Sequence, residues 1–278
     1  HSLLVRDVHY AYPDGQVAFV GDRDGLPALW VRAADGNERR VDTGPGHVQS
    51  ALWSPGGEWI AVVVAPGGGE HTEVRVVRPD GTGLRRLAGG IRPGSGGGEE
   101  ACAALAGRWT ADGGALVVTE SARSGLTHAL LVDLDGRRRH LAVGLALQVC
   151  DAVQLGGAGL DADLRLLLRE GPRGARRLTV VDTSAGACHD IPGGTTTVAL
   201  GRFIAGGAKA LLVCDIGRER AGLVEVSLDP AGLPTAVRTV VGRDDADLER
   251  FTLLDEATAV AVWNVGGCSE LEPPTLDR

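Results

Sequence analysis

Methionine is missing from all 278 residues, lysine occurs once (Lys209) against 27 arginines, and aromatic residues make up only 4%. The missing methionine, at position 1 as elsewhere, sets the expectation of a fragment, a processed chain, or a sequence from which modified methionines have dropped out. The lysine shortage reads as the bias of a GC-rich coding sequence and carries no consequence for fold. A surplus of positive charge is also lacking: Lys+Arg 28 against Asp+Glu 36 leaves a net charge of −8. That excludes a nucleic-acid binder working by bulk charge, because counterion release needs an excess of cationic groups. No apolar run approaches the roughly 18 residues of a membrane-spanning helix, and no basic segment followed by an apolar one marks a signal peptide. Cysteines are few. Cys102, Cys150, Cys188, Cys214 and Cys268 are widely spaced, odd in number and without a CxxC pair, a poor framework for disulfides or zinc. Free buried thiols in a cytoplasmic protein are the expectation, with no metal and no cofactor.

Glycine, by contrast, is abundant at 42 residues, and hydrophobic residues reach 44%. Many tight turns around a sizeable core follow from that pair of facts. A turn signal followed by an apolar run recurs along the chain: Pro13-Asp14-Gly15 before QVAFVGD, Ser54-Pro55-Gly56-Gly57 before EWIAVVVAP, and Thr110-Ala111-Asp112-Gly113-Gly114 before ALVVTES. Weaker copies precede LRLLLREG, AKALLVCDIG and ATAVAVWNVGG. The markers Gly15, Gly57, Gly114, Asp163, Gly207 and Glu256 are 42, 57, 49, 44 and 49 residues apart. The second unit has the clearest grammar, with VQSALWS, a turn, EWIAVVVAP, a loop, EVRVVRP, the turn DGTG, and LRRLAGG. Such runs are strands, since they lack the 3.6-residue period of a helix.

Four short antiparallel strands repeated every 40 to 50 residues predict an all-β chain, a β-propeller with six blade units visible, the last cut within itself. A β-sandwich would supply strands without repeating their internal order. Each blade is a sheet that must cover both faces, so neighbours stack, and Trp30, Trp53, Trp59, Trp109 and Trp263 are expected to pack between blades. Residues 89–100, rich in glycine, read as a loop and as the one obvious insertion, where function tends to collect.

The stretches FVGDRDGLPALWV (19–31), ALWSPGGEWIA (51–61) and VRVVRPDG (74–81) resemble the N-terminal propeller of the prolyl oligopeptidase family, nearest its acylaminoacyl-peptidase and dipeptidyl-aminopeptidase branches. The W-S-P-D-G-like signature is shared with TolB-type propellers. The resemblance implies one propeller domain over residues 1–278, about seven blades in the complete protein, and a C-terminal α/β-hydrolase domain beyond this chain. That domain would carry a serine nucleophile in a GxSxG elbow, with Asp and His. No serine here has glycine at both −2 and +2, and no βαβ alternation offers a hydrolase sheet, so no catalytic residue is assigned. The implied role is a propeller that limits a serine peptidase to short peptides or small acyl substrates. A standalone TolB-like or WD-like scaffold for protein–protein interaction is the alternative, and homo-oligomerisation is left open.

The resemblance also marks Glu99 and Glu100. In dipeptidyl aminopeptidases a paired glutamate on a propeller insertion, shortly before a W-S-P-x-G strand, holds the free α-amino group of the substrate. Here the pair ends the insertion and Trp109 follows, although Gly96-Gly97-Gly98 stand where aromatic residues are expected. An ordinary solvated acidic loop is the competing reading. Cys188-His189-Asp190 reads as a turn cluster, since side chains in a row on a strand cannot converge on a metal. Arg137-Arg138-Arg139-His140 reads as a charged outer strand that discourages edge pairing. Asp244, Asp245 and Asp247 lack the spacing of a calcium loop, and Asp22-Arg23-Asp24-Gly25 reads as a hairpin with local charge pairing.

Overall fold

Turn chemistry fixes where the strands begin. In the computed structural model, which describes residues 5–10, 15–68, 71–93, 99–172, 175–193, 200–254 and 258–273, Trp53 and Trp109 are each followed by a hydroxyl residue and then a glycine. The Gly57 amide donates to the Ser54 carbonyl, and the Gly113 amide to that of Thr110, both at 2.9 Å. The hydroxyl oxygens accept from the amides five residues on, Trp59 for Ser54 and Ala115 for Thr110, both at 3.0 Å. Gly57 and Gly113 have φ of 72° and 68°, a region that glycine enters without steric penalty. The third repeat therefore turns on Gly113, one residue before the glycine that the spacing singled out.

Blade one consists of β1 (Val5–Tyr10), β2 (Val17–Gly21), β3 (Ala28–Arg32) and β4 (Glu38–Val41). Blade two comprises β5 (His47–Trp53), β6 (Ile60–Ala65), β7 (Glu73–Val77) and β8 (Arg85–Pro93), and blade three β9 (Glu99–Trp109), β10 (Ala115–Ala122), β11 (Leu126–Asp133) and β12 (Arg138–Leu145). Blade four follows with β13 (Gln148–Gly156), β14 (Asp163–Glu170), β15 (Arg177–Asp182) and β16 (Ala187–Asp190). Blade five has β17 (Gly201–Ile204), β18 (Lys209–Cys214), β19 (Gly222–Leu228) and β20 (Pro234–Val241). Blade six contributes β21 (Asp247–Leu253), β22 (Ala259–Val265) and β23 (Cys268–Glu272), three strands among the described residues. Each blade is a meander in chain order, and the architecture is the expected β-propeller type. One expectation fails. Blades two and three are not separate sheets, because β8 and β9 pair with each other and join them into an eight-stranded sheet.

Two compact units divide the chain, His1–Gly144 with Ala158–Ala162, and Leu145–Gly157 with Asp163–Arg278. In the first, β6 reads IAVVVA and is buried at every position. Its alternate residues explain why: Ile60, Val62 and Val64 pack with Leu29 and Val31 of blade one, whereas Ala61 and Val63 pack with Leu116 and Val118 of blade three. A strand covered on both faces needs no polar face, and each fully buried Val or Leu contributes about 1.5–3 kcal/mol. Trp53 lies in the first of these clusters and Trp59 in the second. The second unit repeats the scheme. Leu212 and Cys214 of β18 face Leu167 and Val180 of blade four, while Leu211 and Val213 face Trp263 and Phe251 of blade six.

Buried ion pairs tie neighbouring blades together. Arg165 on β14 donates through Nη2 to Asp182 Oδ2 at 2.8 Å, and its remaining donors reach the carbonyls of Gly207 (2.9 Å) and Pro230 (2.6 Å) in blade five. Arg75 on β7 is held by Glu73 at 2.8 Å and donates to the Thr43 carbonyl at 2.6 Å, in the connection from blade one. Burial alone pushes the Asp182 carboxyl up. The Ser184 hydroxyl, Arg165 and the Ala185 amide reverse that and hold it below the usual carboxylate range.

Candidate functional site

Residues 89–93 and 99–100, expected in a loop, lie instead on strands β8 and β9. β8 pairs with β7 as far as Glu73 opposite Gly89, then changes partner, with Gly90 opposite Cys102, Ile91 opposite Ala101, Arg92 opposite Glu100 and Pro93 opposite Glu99. The result is a two-stranded arm that continues both blades. Two consecutive glycines make the change of partner feasible. Gly89 and Gly90 have φ of 76° and 78°, and a Cβ at Gly89 would lie 2.3 Å from the Thr72 carbonyl oxygen. Composition suggested a loop because it counts glycine as a turn former. Here glycine bends a strand that goes on pairing.

Glu99 and Glu100 open β9, so their backbone positions are fixed by pairing with Pro93 and Arg92. Their side chains, and residues 94–98 between the arm's strands, lie outside the described residues. At the base of the arm, the Ala104 amide donates to the Thr72 carbonyl at 2.9 Å and the Thr72 hydroxyl to the Ala104 carbonyl at 2.7 Å. Glu120 of β10 accepts from the Gly89 amide at 2.9 Å, and Arg138 of β12 donates to the Leu87 carbonyl at 2.8 Å.

The other sequence candidates resolve into structural contacts. Cys188, His189 and Asp190 lie on strand β16, not in a turn; Cys188 and Asp190 are exposed and His189 is half-buried. Among the described residues no three His, Cys, Asp or Glu side chains are grouped to hold a metal. The arginine run does lead into an outer strand, but its members act as tethers: Arg137 to Asp133 (2.7 Å), Arg138 to Glu120 and Leu87, and Arg139 to the Leu160 carbonyl (2.8 Å). His140 sets its ring edge-on to His128. Asp244, Asp245 and Asp247 each pair with an arginine, namely Arg218, Arg243 and Arg220. Arg243 lowers the Asp245 pKa by hydrogen bonding. In the 22–25 turn, charge pairing reaches the outer strand: Arg23 meets Glu38, and Arg40 meets Asp24.

Inner-strand bulges carry no obvious signature in one strand alone. HVQSALW, QVCDAVQ and DLERFTL each shift register after their second residue, between Val48 and Ser50, Val149 and Asp151, and Leu248 and Arg250. Aligning the three would have revealed the pattern. At the second of them Asp151 accepts from the Phe203 amide at 2.8 Å, and burial pushes the Cys150 thiol up to about 11. It is therefore protonated and unreactive near neutral pH.

No protein-family model matches the chain. A stretch of 66 residues is 44% identical to the uncharacterised peptidase YuxL of Bacillus subtilis (strain 168), covering 23% of this chain and 10% of that protein. Among solved structures, a prolyl endopeptidase superposes with a TM-score of 0.71 at 15% identity over 99% of this chain. Prolyl oligopeptidase B from Galerina marginata superposes with a TM-score of 0.65 at 13% identity over 98%. The chain spans 42% of either enzyme. In fold, along almost its whole length, the chain resembles the propeller of the prolyl oligopeptidases, and in sequence one stretch of it resembles a bacterial peptidase.

Proposed function

We propose that the chain is the propeller portion of a prolyl-oligopeptidase-like serine peptidase, covering the active site of an attached hydrolase domain and limiting it to short peptides or small acyl substrates. The observation that carries this reading is the superposition on two prolyl oligopeptidases over nearly all of this chain but less than half of theirs. The segment 44% identical to a bacterial peptidase supports it. Enclosure excludes water and folded proteins from the reacting groups. Glu99 and Glu100, carried towards the tip of the β8–β9 arm, serve in this reading as the anchor for a substrate ammonium through charge-assisted hydrogen bonds. A cytoplasmic location accords with five cysteines that are not joined in disulfides.

A fluorophosphonate probe applied to the native protein tests the proposal. Covalent labelling of a species more than twice the 28.7 kDa of this chain, competed by short peptides, is expected. An unlabelled native protein of about this mass would instead favour a standalone propeller scaffold.

A further inference from the structure

The β8–β9 arm leaves the sheet at a point that blade three clamps. Gly89 is buried and is the last β8 residue that pairs with β7, with a positive φ, so its N–H needs an acceptor. Glu120, itself buried, accepts that hydrogen bond through Oε2. Arg138 stands beside it, 3.4 Å from the same carboxylate, and donates to the Leu87 carbonyl two residues before the kink. The two side chains thus hold both sides of Leu87–Gly89 from a neighbouring blade. Gly90, one residue further, has a φ of 78°, and a Cβ there would push aside two side-chain ends, Glu73 Oε1 at 2.5 Å and Arg86 Nη1 at 2.6 Å.

We infer that Glu120, with Arg138 behind it, is a positioning residue that sets the direction of the arm. Given the substrate-anchoring role assigned above to Glu99 and Glu100, it thereby sets where their ammonium site stands. Neither residue touches substrate. Their effect passes through the backbone, because a β-ladder that begins at Gly90 opposite Cys102 inherits its direction from the residue before it. Glutamine at position 120 keeps an acceptor for the Gly89 amide and loses the charge that faces Arg138, whereas alanine loses both.

Hydrogen exchange read by mass spectrometry on the whole protein separates local from general effects. Glu120→Ala should accelerate exchange of amides in residues 89–104 by about tenfold or more while β14, β18 and β19 keep their protection, and Glu120→Gln should restore most of the loss. Should Glu120→Ala fail to fold, Arg138→Met serves as the weaker variant with the same local pattern. Unchanged exchange in the arm, or equal acceleration in β14, β18 and β19, would overturn the inference. In the peptidase assay, Glu120→Ala should raise KM for free-amine peptides with kcat unchanged and leave N-acylated peptides as they were. A loosened arm with unaltered amine selectivity would retain the clamp and remove the Glu99–Glu100 anchor.

Discussion

Single residues decide how blades are tied, and Arg165 is the clearest case. Its side chain is 4% exposed and that of Asp182 is 1% exposed, so removing one partner leaves the other charge buried and uncompensated. Arg165→Ala or Asp182→Ala should cost about 3–5 kcal/mol, measured by urea unfolding at neutral pH. The pair also has a pH signature. Folding holds the Asp182 pKa below its ordinary value, so its contribution is complete above the unfolded-state pKa of about 3.9 and is lost as pH falls through the folded value. Asp182→Asn should flatten the decline in stability below about pH 4 relative to the wild type. None of this was legible beforehand. Ser54, Thr110 and their glycines could be read from sequence because the partners lie within five residues. Arg165 finds its carbonyls 42 and 65 residues away, and no local pattern encodes such a distance.

At the scale of elements, period and turn chemistry located the strand that follows each turn signal and the strands of blade two, since an apolar run between glycine turns has few other ways to fold; most other strands of blades four to six were not delimited. β1 went unnoticed, lying before the first turn signal, and the arm was misassigned. Its composition is that of a loop, and only the register shows Gly89 and Gly90 inside a strand that exchanges partners. The distinction can be measured by substituting glycines of similar φ in different surroundings. Gly57, at φ 72°, has open space where a Cβ would stand, so Gly57→Ala should cost about 1–2 kcal/mol from the left-handed conformation alone. Gly89→Ala adds a collision with the Thr72 carbonyl at 2.3 Å. Its cost should exceed that of Gly57→Ala by at least about 1 kcal/mol, read from paired urea midpoints. Equal costs would mean that the kink yields freely and that β8 is bent by something other than its two glycines.

For the whole molecule, fold and function were not equally legible. Repeated strands report a propeller because every blade must bury two apolar faces, whereas a substrate leaves its mark on a few side chains whose neighbours come from elsewhere in the chain. Glu99 and Glu100 were noticed by resemblance, and the architecture adds that they sit on a paired strand at a fixed distance from a clamped base. A paired-strand mount suits recognition of one small charged group, because the backbone that carries the two glutamates need not be ordered when substrate arrives. Under the proposed function, an ammonium held by two carboxylates is lost as a ligand once acylated, so the intact protein should prefer peptides with a free N-terminus. Replacing both glutamates by glutamine should cost free-amine substrates about 2–4 kcal/mol in kcat/KM, on the order of 30- to 1,000-fold, and should leave N-acylated substrates nearly unaffected. Parallel kinetics on one peptide in its free and acetylated forms make the comparison. Equal losses on both would show that the substitutions disturb the arm itself, and no loss on either would return the pair to the status of a solvated acidic surface.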